Sequence, residues 1–266
     1  MGTSASHSGP KSSRPLDPPW LSDIMLGQVP LAPINPSLDM PKLAPVARYK
    51  DARRNLTDYA KSGNKQSLTR SLGHYSKTGM GGASGVANRM QNSTRTAAGI
   101  HSALSSLRDG SLPSIANDIA KLKSEGAGIY SIIDIFVRHV CPDGGSLDET
   151  SARDSASAAL SELFERNPNA DIQNLSDDDS WSVVSAFLGY EAFNRIQLDI
   201  GQTFEKLDSL SERTYRLQEM REYLEAEVTV QVNTLRSENP NTPSSSLHEL
   251  LRAAIERTFR VFEVSS

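Results

Sequence analysis

The sequence predicts an all-α protein, a multi-helix, bundle-like body of about eight helices behind an extended, proline-rich N-terminal arm. Three observations predict it. Nine of the fourteen prolines in the 266-residue chain fall within residues 1–45. From residue 46 onward, apolar side chains recur at helical spacing. The β-branched residues are scattered and not gathered into alternating runs, so no stretch reads as a sheet strand.

The arm comes first. Pro10, Pro15, Pro18, Pro19, Pro30, Pro33, Pro36, Pro41 and Pro45 are spread through it. Proline fixes φ, lacks an N–H and pushes the preceding residue into extended backbone, so neither a helix nor a paired strand runs through this segment. Trp20, Leu21, Ile24, Met25 and Leu26 make it more apolar than a passive linker requires. Two uses are open: draping over the protein's own body, or docking on a partner.

A basic helical region, 46–110, follows. Val46, Tyr49, Leu56, Tyr59 and Ala60 share a side of a first helix that stops at Gly63-Asn64. Leu68, Leu72 and Tyr75 mark a second helix, which runs into the glycine-rich stretch 79–85. A third runs from about Val86 to Arg108.

The rest, 111–266, reads as an acidic helical domain. Ile129, Ile132, Ile133, Phe136, Val137 and Val140 give the clearest buried face, ended by Cys141-Pro142-Asp143-Gly144-Gly145. A helix starting near Ser146 carries Ala159, Leu160, Leu163 and Phe164 and closes at Asn167-Pro168-Asn169. Ser176-Asp177-Asp178-Asp179 caps the next, with Trp181, Val184, Leu188, Ala192, Ile196 and Ile200. Leu210, Leu217, Met220, Leu224, Val228 and Leu235 give a heptad-like seam. Leu247, Leu250, Leu251, Ala254, Ile255, Thr258, Phe259 and Phe262 give a last amphipathic face.

Charge divides along the chain. Residues 1–110 hold 14 Lys and Arg against 6 Asp and Glu, a net +8; the remainder holds 14 against 26, a net −12, which together make the overall −4. Such an asymmetry arises from solvated helix faces, or from a basic half that meets an acidic partner or nucleic acid. No run approaches the roughly 18 apolar residues of a membrane span and no apolar signal run opens the chain, so a cytoplasmic protein without a membrane is expected. The single Cys141 agrees with a reducing compartment.

Catalytic patterns are sparse. His7, His74, His101, His139 and His248 include no pair three to five residues apart, so metal-ligand spacing is missing and no metal or intrinsic cofactor is expected. His139 and Cys141, two apart on a helix, point in different directions. The string Gly73-His74-Tyr75-Ser76-Lys77-Thr78-Gly79, followed by Gly81-Gly82, contains the ingredients of a phosphate loop in the wrong order and after a helix. It reads as a close-packing turn, with Gly73, His74, Tyr75, Lys77, Gly79, Gly81 and Gly82 as candidate functional positions. Met1-Gly2 predicts removal of the initiator methionine and a free glycine α-amine of pKa about 8, partly nucleophilic at neutral pH. Residues 1–6 also match the short myristoylation pattern.

The opening Met1-Gly2-Thr3-Ser4 with Gly9-Pro10, Pro18-Pro19-Trp20, the string from Gly73 to Gly79 and Gly81-Gly82-Ala83 resemble the QatB family, the B component of bacterial Qat antiphage defence systems. The resemblance is specific over about residues 1–110 and general beyond. It implies partnership with a QatC-like homologue of 7-cyano-7-deazaguanine synthase, and with the Qat ATPase and TatD-like nuclease. That synthase class activates a deazaguanine carboxylate with ATP and then accepts a nitrogen nucleophile. The resemblance therefore implies a non-enzymatic component whose Gly2 amine becomes amide-linked to a deazaguanine nucleobase. Thr3, Ser4, Ser6, His7, Gly9, Pro10, Pro19 and Trp20 would bind the partner beside Gly2.

Other readings stay open beside it. One is a nucleic-acid-binding module built on the basic 48–77 region, with Arg48, Lys50, Arg53, Arg54, Lys61, Lys65, Arg70 and Lys77 among Tyr49, Tyr59 and Tyr75. The helical spacing of those tyrosines suits a core better than a stacking platform. The others are a lipid-anchored adaptor through Gly2 and an unrecognised enzyme.

Overall fold

The computed structural model of the chain describes residues 47–141 and 146–265. The proline-rich arm and residues 142–145, expected to stop a helix, lie outside the described residues. The described residues form ten α-helices and no strand. They are α1 (Lys50–Ser62), α2 (Lys65–His74), α3 (Ala83–Arg89), α4 (Gln91–Arg108) and α5 (Pro113–Ser124), then α6 (Ile129–Val140), α7 (Leu147–Arg166), α8 (Asp177–Ile200), α9 (Leu210–Glu238) and α10 (Leu247–Val264). The all-α expectation holds.

Two helices more than expected arise from two local causes. The stretch expected to run as one helix from Val86 to Arg108 starts at Ala83 and breaks at Met90, giving α3 and α4. The other is α5, whose two buried residues, Ile115 and Ile119, are few for a periodic pattern; Pro113 in its first turn supplies a preset φ where a missing N–H costs nothing.

α8 is the central helix. The side chains expected on its apolar face are all buried, and so are Val183, Ala186, Phe187 and Phe193 elsewhere on its surface. A helix apolar on every side must be surrounded, and α8 packs against α4, α7 and α9. Fully burying one such Phe contributes roughly 1.5–3 kcal/mol. Ser176 caps it, accepting from the Asp179 amide at 3.0 Å. Gly189 sets its approach to α9, since a Cβ there would stand 2.7 Å from Glu225 Cα.

The α10 face is buried residue for residue as its spacing predicts. α9 departs from its expected seam. Met220, Leu224, Val228, Val232 and Leu235 are buried, but Leu210 is 75% exposed and Leu217 only partly covered. Spacing by fours keeps the later residues on the core, and the first turns of the helix stand clear of it. One continuous core draws on both charge regions, with Leu56, Leu72 and Leu104 from the basic stretch beside Phe187, Leu224 and Phe259 from the acidic one.

Candidate functional site

The turn after α2 is held from three sides. Gly73 is buried in the last turn of α2, and His74 ends that helix half-buried. Tyr75–Gly79 then forms a single π-helical turn. Its backbone groups bond inward: the Met80 amide donates to Tyr75 O at 2.9 Å and the Gly82 amide to Ser76 O at 2.9 Å. These amides are taken by the turn itself. Gly82, at φ 104°, starts α3 from a backbone conformation that L side chains rarely adopt. Gly79 lies under an aromatic ring, where an added Cβ would meet Tyr49 Cδ1 at 2.6 Å. Lys77 and Gly81 are exposed.

Tyr75 ties the turn to the end of α8. Its ring is 1% exposed and stacks on Tyr49 with centroids 5.6 Å apart and planes 10° from parallel. Both phenols donate to Asp199 Oδ2, Tyr75 at 2.8 Å and Tyr49 at 3.1 Å. Burial, and then the Asp199 carboxylate, hold both hydroxyls above the usual phenol range, so both stay protonated donors. Ser76 Oγ donates to Glu263 Oε1 at 2.6 Å, which ties the same turn to α10.

Tyr59 is likewise a core residue. Its hydroxyl donates toward Glu219 Oε2 and Arg216 O, both at 3.0 Å, and burial drives it far above the ordinary phenol value. The three tyrosines of the basic stretch are therefore buried and leave no free ring for a nucleobase to stack on. Arg48 sits over the Tyr49 ring at 4.6 Å, and Lys65 lies 4.0 Å from Glu219.

Three further polar clusters carry no local spacing in the sequence. Glu191, 1% exposed on α8, accepts from Ser93 Oγ of α4 at 2.6 Å and from Ser151 and Ser155 of α7 at 2.7 and 2.9 Å. His101, beside Trp181 at 4.8 Å, lines a 590 Å³ cleft with Asp177, Asp178 and Arg236. Burial lowers the His101 imidazole more than Asp177, 3.7 Å away, raises it. Arg236 pairs with Asp177 at 2.6 Å and Asp178 at 2.9 Å, so the acidic run tethers α9 besides favouring its own helix start. On the far side of α8, Tyr190 donates to Glu162 at 3.2 Å, and burial together with the Glu162 carboxylate pushes Glu225 up to about 7.

Cys141 is buried, and its surroundings, first burial and then Glu191, push the thiol up to about 11. That is the environment of an inert thiol. His139 is exposed. Among the described residues no group of three or more His, Cys, Asp and Glu is placed to hold a metal ion, and no helix is long and apolar enough to cross a membrane.

The structure thus brings Tyr75, Gly79 and Gly82 together in one packed turn. Gly2, Thr3, Ser4, Ser6, His7, Gly9, Pro10, Pro19 and Trp20 lie outside the described residues. Asp199 and Glu263, which anchor the turn, escape sequence reasoning because nothing adjacent to them in the chain marks them as its partners.

A family model described as QatB, Qat anti-phage system associated protein QatB, matches residues 81–262. The match covers the stretch where the sequence resemblance was only general. Of the motifs that suggested the family, only Gly81-Gly82-Ala83 falls inside it. No curated protein and no solved structure matches the chain.

Proposed function

This chain belongs to the QatB family of Qat anti-phage system associated proteins, and on that premise we propose that it serves its defence system as a substrate and not as a catalyst. Family membership makes it a component of an antiphage system. Within that system, a QatC-like homologue of deazaguanine synthase activates a deazaguanine carboxylate using ATP. The Gly2 amine, exposed by removal of Met1, attacks the activated carbonyl carbon. The activating group leaves, the amine proton passes to solvent, and an amide joins the nucleobase to the protein. The need for ATP puts the reaction in the cytoplasm. The Qat ATPase and TatD-like nuclease are the further partners.

The observation that carries this reading is Gly2 itself. It follows Met1 directly, and the small residues Thr3, Ser4, Ala5 and Ser6 behind it let the terminus thread into a closed active site. Two features of the body support the substrate role. The phenols of Tyr49, Tyr59 and Tyr75 are protonated donors to structural carboxylates, and the one thiol is held far from its reactive form. Intact mass spectrometry after co-expression with the synthase-like partner tests the proposal. The expected product lacks Met1 and carries one deazaguanine amide on Gly2. A terminus that stays unmodified in cells with active defence overturns it.

A further inference from the structure

Lys50, Arg53, Arg54 and Thr57 are spaced i, i+3, i+4 and i+7, which puts them on one face of α1. That face meets the 3₁₀ segment Gly201–Lys206 just after α8, and the two enclose a cleft of 330 Å³ lined by these four residues, Gln202 and Lys206 among others. Four cations therefore converge on one small concavity. Arg53 is fixed there by donating from Nη2 to Asp199 O at 3.0 Å. Among the described residues no carboxylate pairs with Lys50, Arg54 or Lys206. Lys50 is also the first residue of α1, so the positive end of that helix adds to the field.

Like charges gathered within about 8 Å, the screening length at physiological salt, raise one another's free energy until an anion joins them. The chemistry of the lining narrows the anion. Two guanidinium forks match the paired oxygens of phosphate, and two ammonium groups supply the remaining charge. A peptide carboxylate brings a single charge, and several cannot crowd into this volume. A polyphosphate, or successive phosphodiesters, concentrates three or four charges there.

We propose that the α1 face and the Gly201–Lys206 segment form an anion site for a phosphate-bearing ligand, either the polyphosphate of a nucleotide or the backbone of a single nucleic-acid strand. Because Tyr49, Tyr59 and Tyr75 are buried in the core, recognition runs through phosphate and is indifferent to base sequence. The proposal does not rest on Gly2 chemistry and stands or falls without it.

Fluorescence anisotropy of the full chain with a labelled single-stranded oligonucleotide, competed by inorganic tripolyphosphate and by ATP, tests the proposal. If the strand is the ligand, affinity falls with salt at a log–log slope of about −2.8, four contacts at ~0.7 each. The triple variant Lys50→Glu, Arg54→Glu, Lys206→Glu is expected to lose about tenfold or more in affinity, and Lys121→Glu on α5 less than about twofold. These side chains are exposed, and the milder Lys206→Gln gives a drop of about threefold by the same argument should the triple variant fold poorly. Competition by tripolyphosphate and ATP identifies a polyphosphate site, whereas binding of the oligonucleotide alone identifies a strand site. The proposal is overturned if none of the three probes binds, if the charge-reversed chain binds as well as the native one, or if an oligoglutamate peptide binds more tightly than tripolyphosphate.

Discussion

Tyr75 and Asp199 stand 124 positions apart in the sequence and 2.8 Å apart across the protein, phenol to carboxylate. The bond fastens the π-helical turn after α2 to the last turn of α8, and Tyr49 doubles it from α1's N-terminal edge at 3.1 Å. Tyr75→Phe is expected to lower stability by about 1–2 kcal/mol, and Asp199→Ala, which strips two buried phenols of their acceptor, by about 2–3 kcal/mol. Urea unfolding of both variants and of the double variant Tyr75→Phe, Asp199→Ala would give a coupling of about 1 kcal/mol. Strict additivity would mean that the bond contributes nothing.

Gly79 has no room for a methyl group beneath Tyr49, where a Cβ would lie 2.6 Å from ring carbons. Gly79→Ala is therefore expected to cost about 1–3 kcal/mol through overpacking. Trimming the ring with Tyr49→Leu should relieve most of that cost. A thermal melt of Gly79→Ala unchanged from the parent would contradict the packing described for this turn.

Glu225 carries the clearest pH dependence. Burial and Glu162 raise it from an ordinary 4.5 to about 7 in the folded chain, which therefore holds the proton more tightly than the unfolded chain does. Its contribution is complete below the unfolded value and is lost as pH rises through about 7. Glu225→Gln, which cannot ionise, should raise the urea midpoint at pH 8 and leave it nearly unchanged at about pH 4, below the unfolded value. Equal shifts at the two pH values would show that the carboxyl does not change ionisation between them.

Cys141 should resist alkylation. With the thiol at about 11, roughly one molecule in a thousand is thiolate at pH 8. Iodoacetamide labelling followed by mass is expected to run about a hundredfold slower in the native chain than in urea. Native labelling at the unfolded rate would place Cys141 in an accessible, activated environment instead.

Where apolar residues recur at strict helical intervals, the fold was legible in the sequence. The α10 face from Leu247 to Phe262 and the α6 face around Phe136 follow from spacing alone. α5 was not legible, because Ile115 and Ile119 are too few to set a period, and neither was the break at Met90, which no proline or glycine marks at that position. Leu210 misled for a different reason: its spacing continues the seam, but the helix reaches past the core. The glycine turn was readable as a turn from composition. Its anchors were not, since the partners of Tyr75 and Ser76 lie 124 and 187 residues away and only the fold brings them together.

The serine cage around Glu191 has a consequence for how the protein opens. Its carboxylate sits on α8, and the three hydroxyls that satisfy it come from α4 and α7, so no one of these helices can withdraw without stranding a buried acceptor. A slip of one helix by a single turn carries the same penalty, which pins the longitudinal register of all three. Fraying that begins at other edges of the molecule should therefore halt at this junction. In hydrogen exchange, the central amides of α4, α7 and α8 would then behave as one cooperative unit, released only when the whole body unfolds.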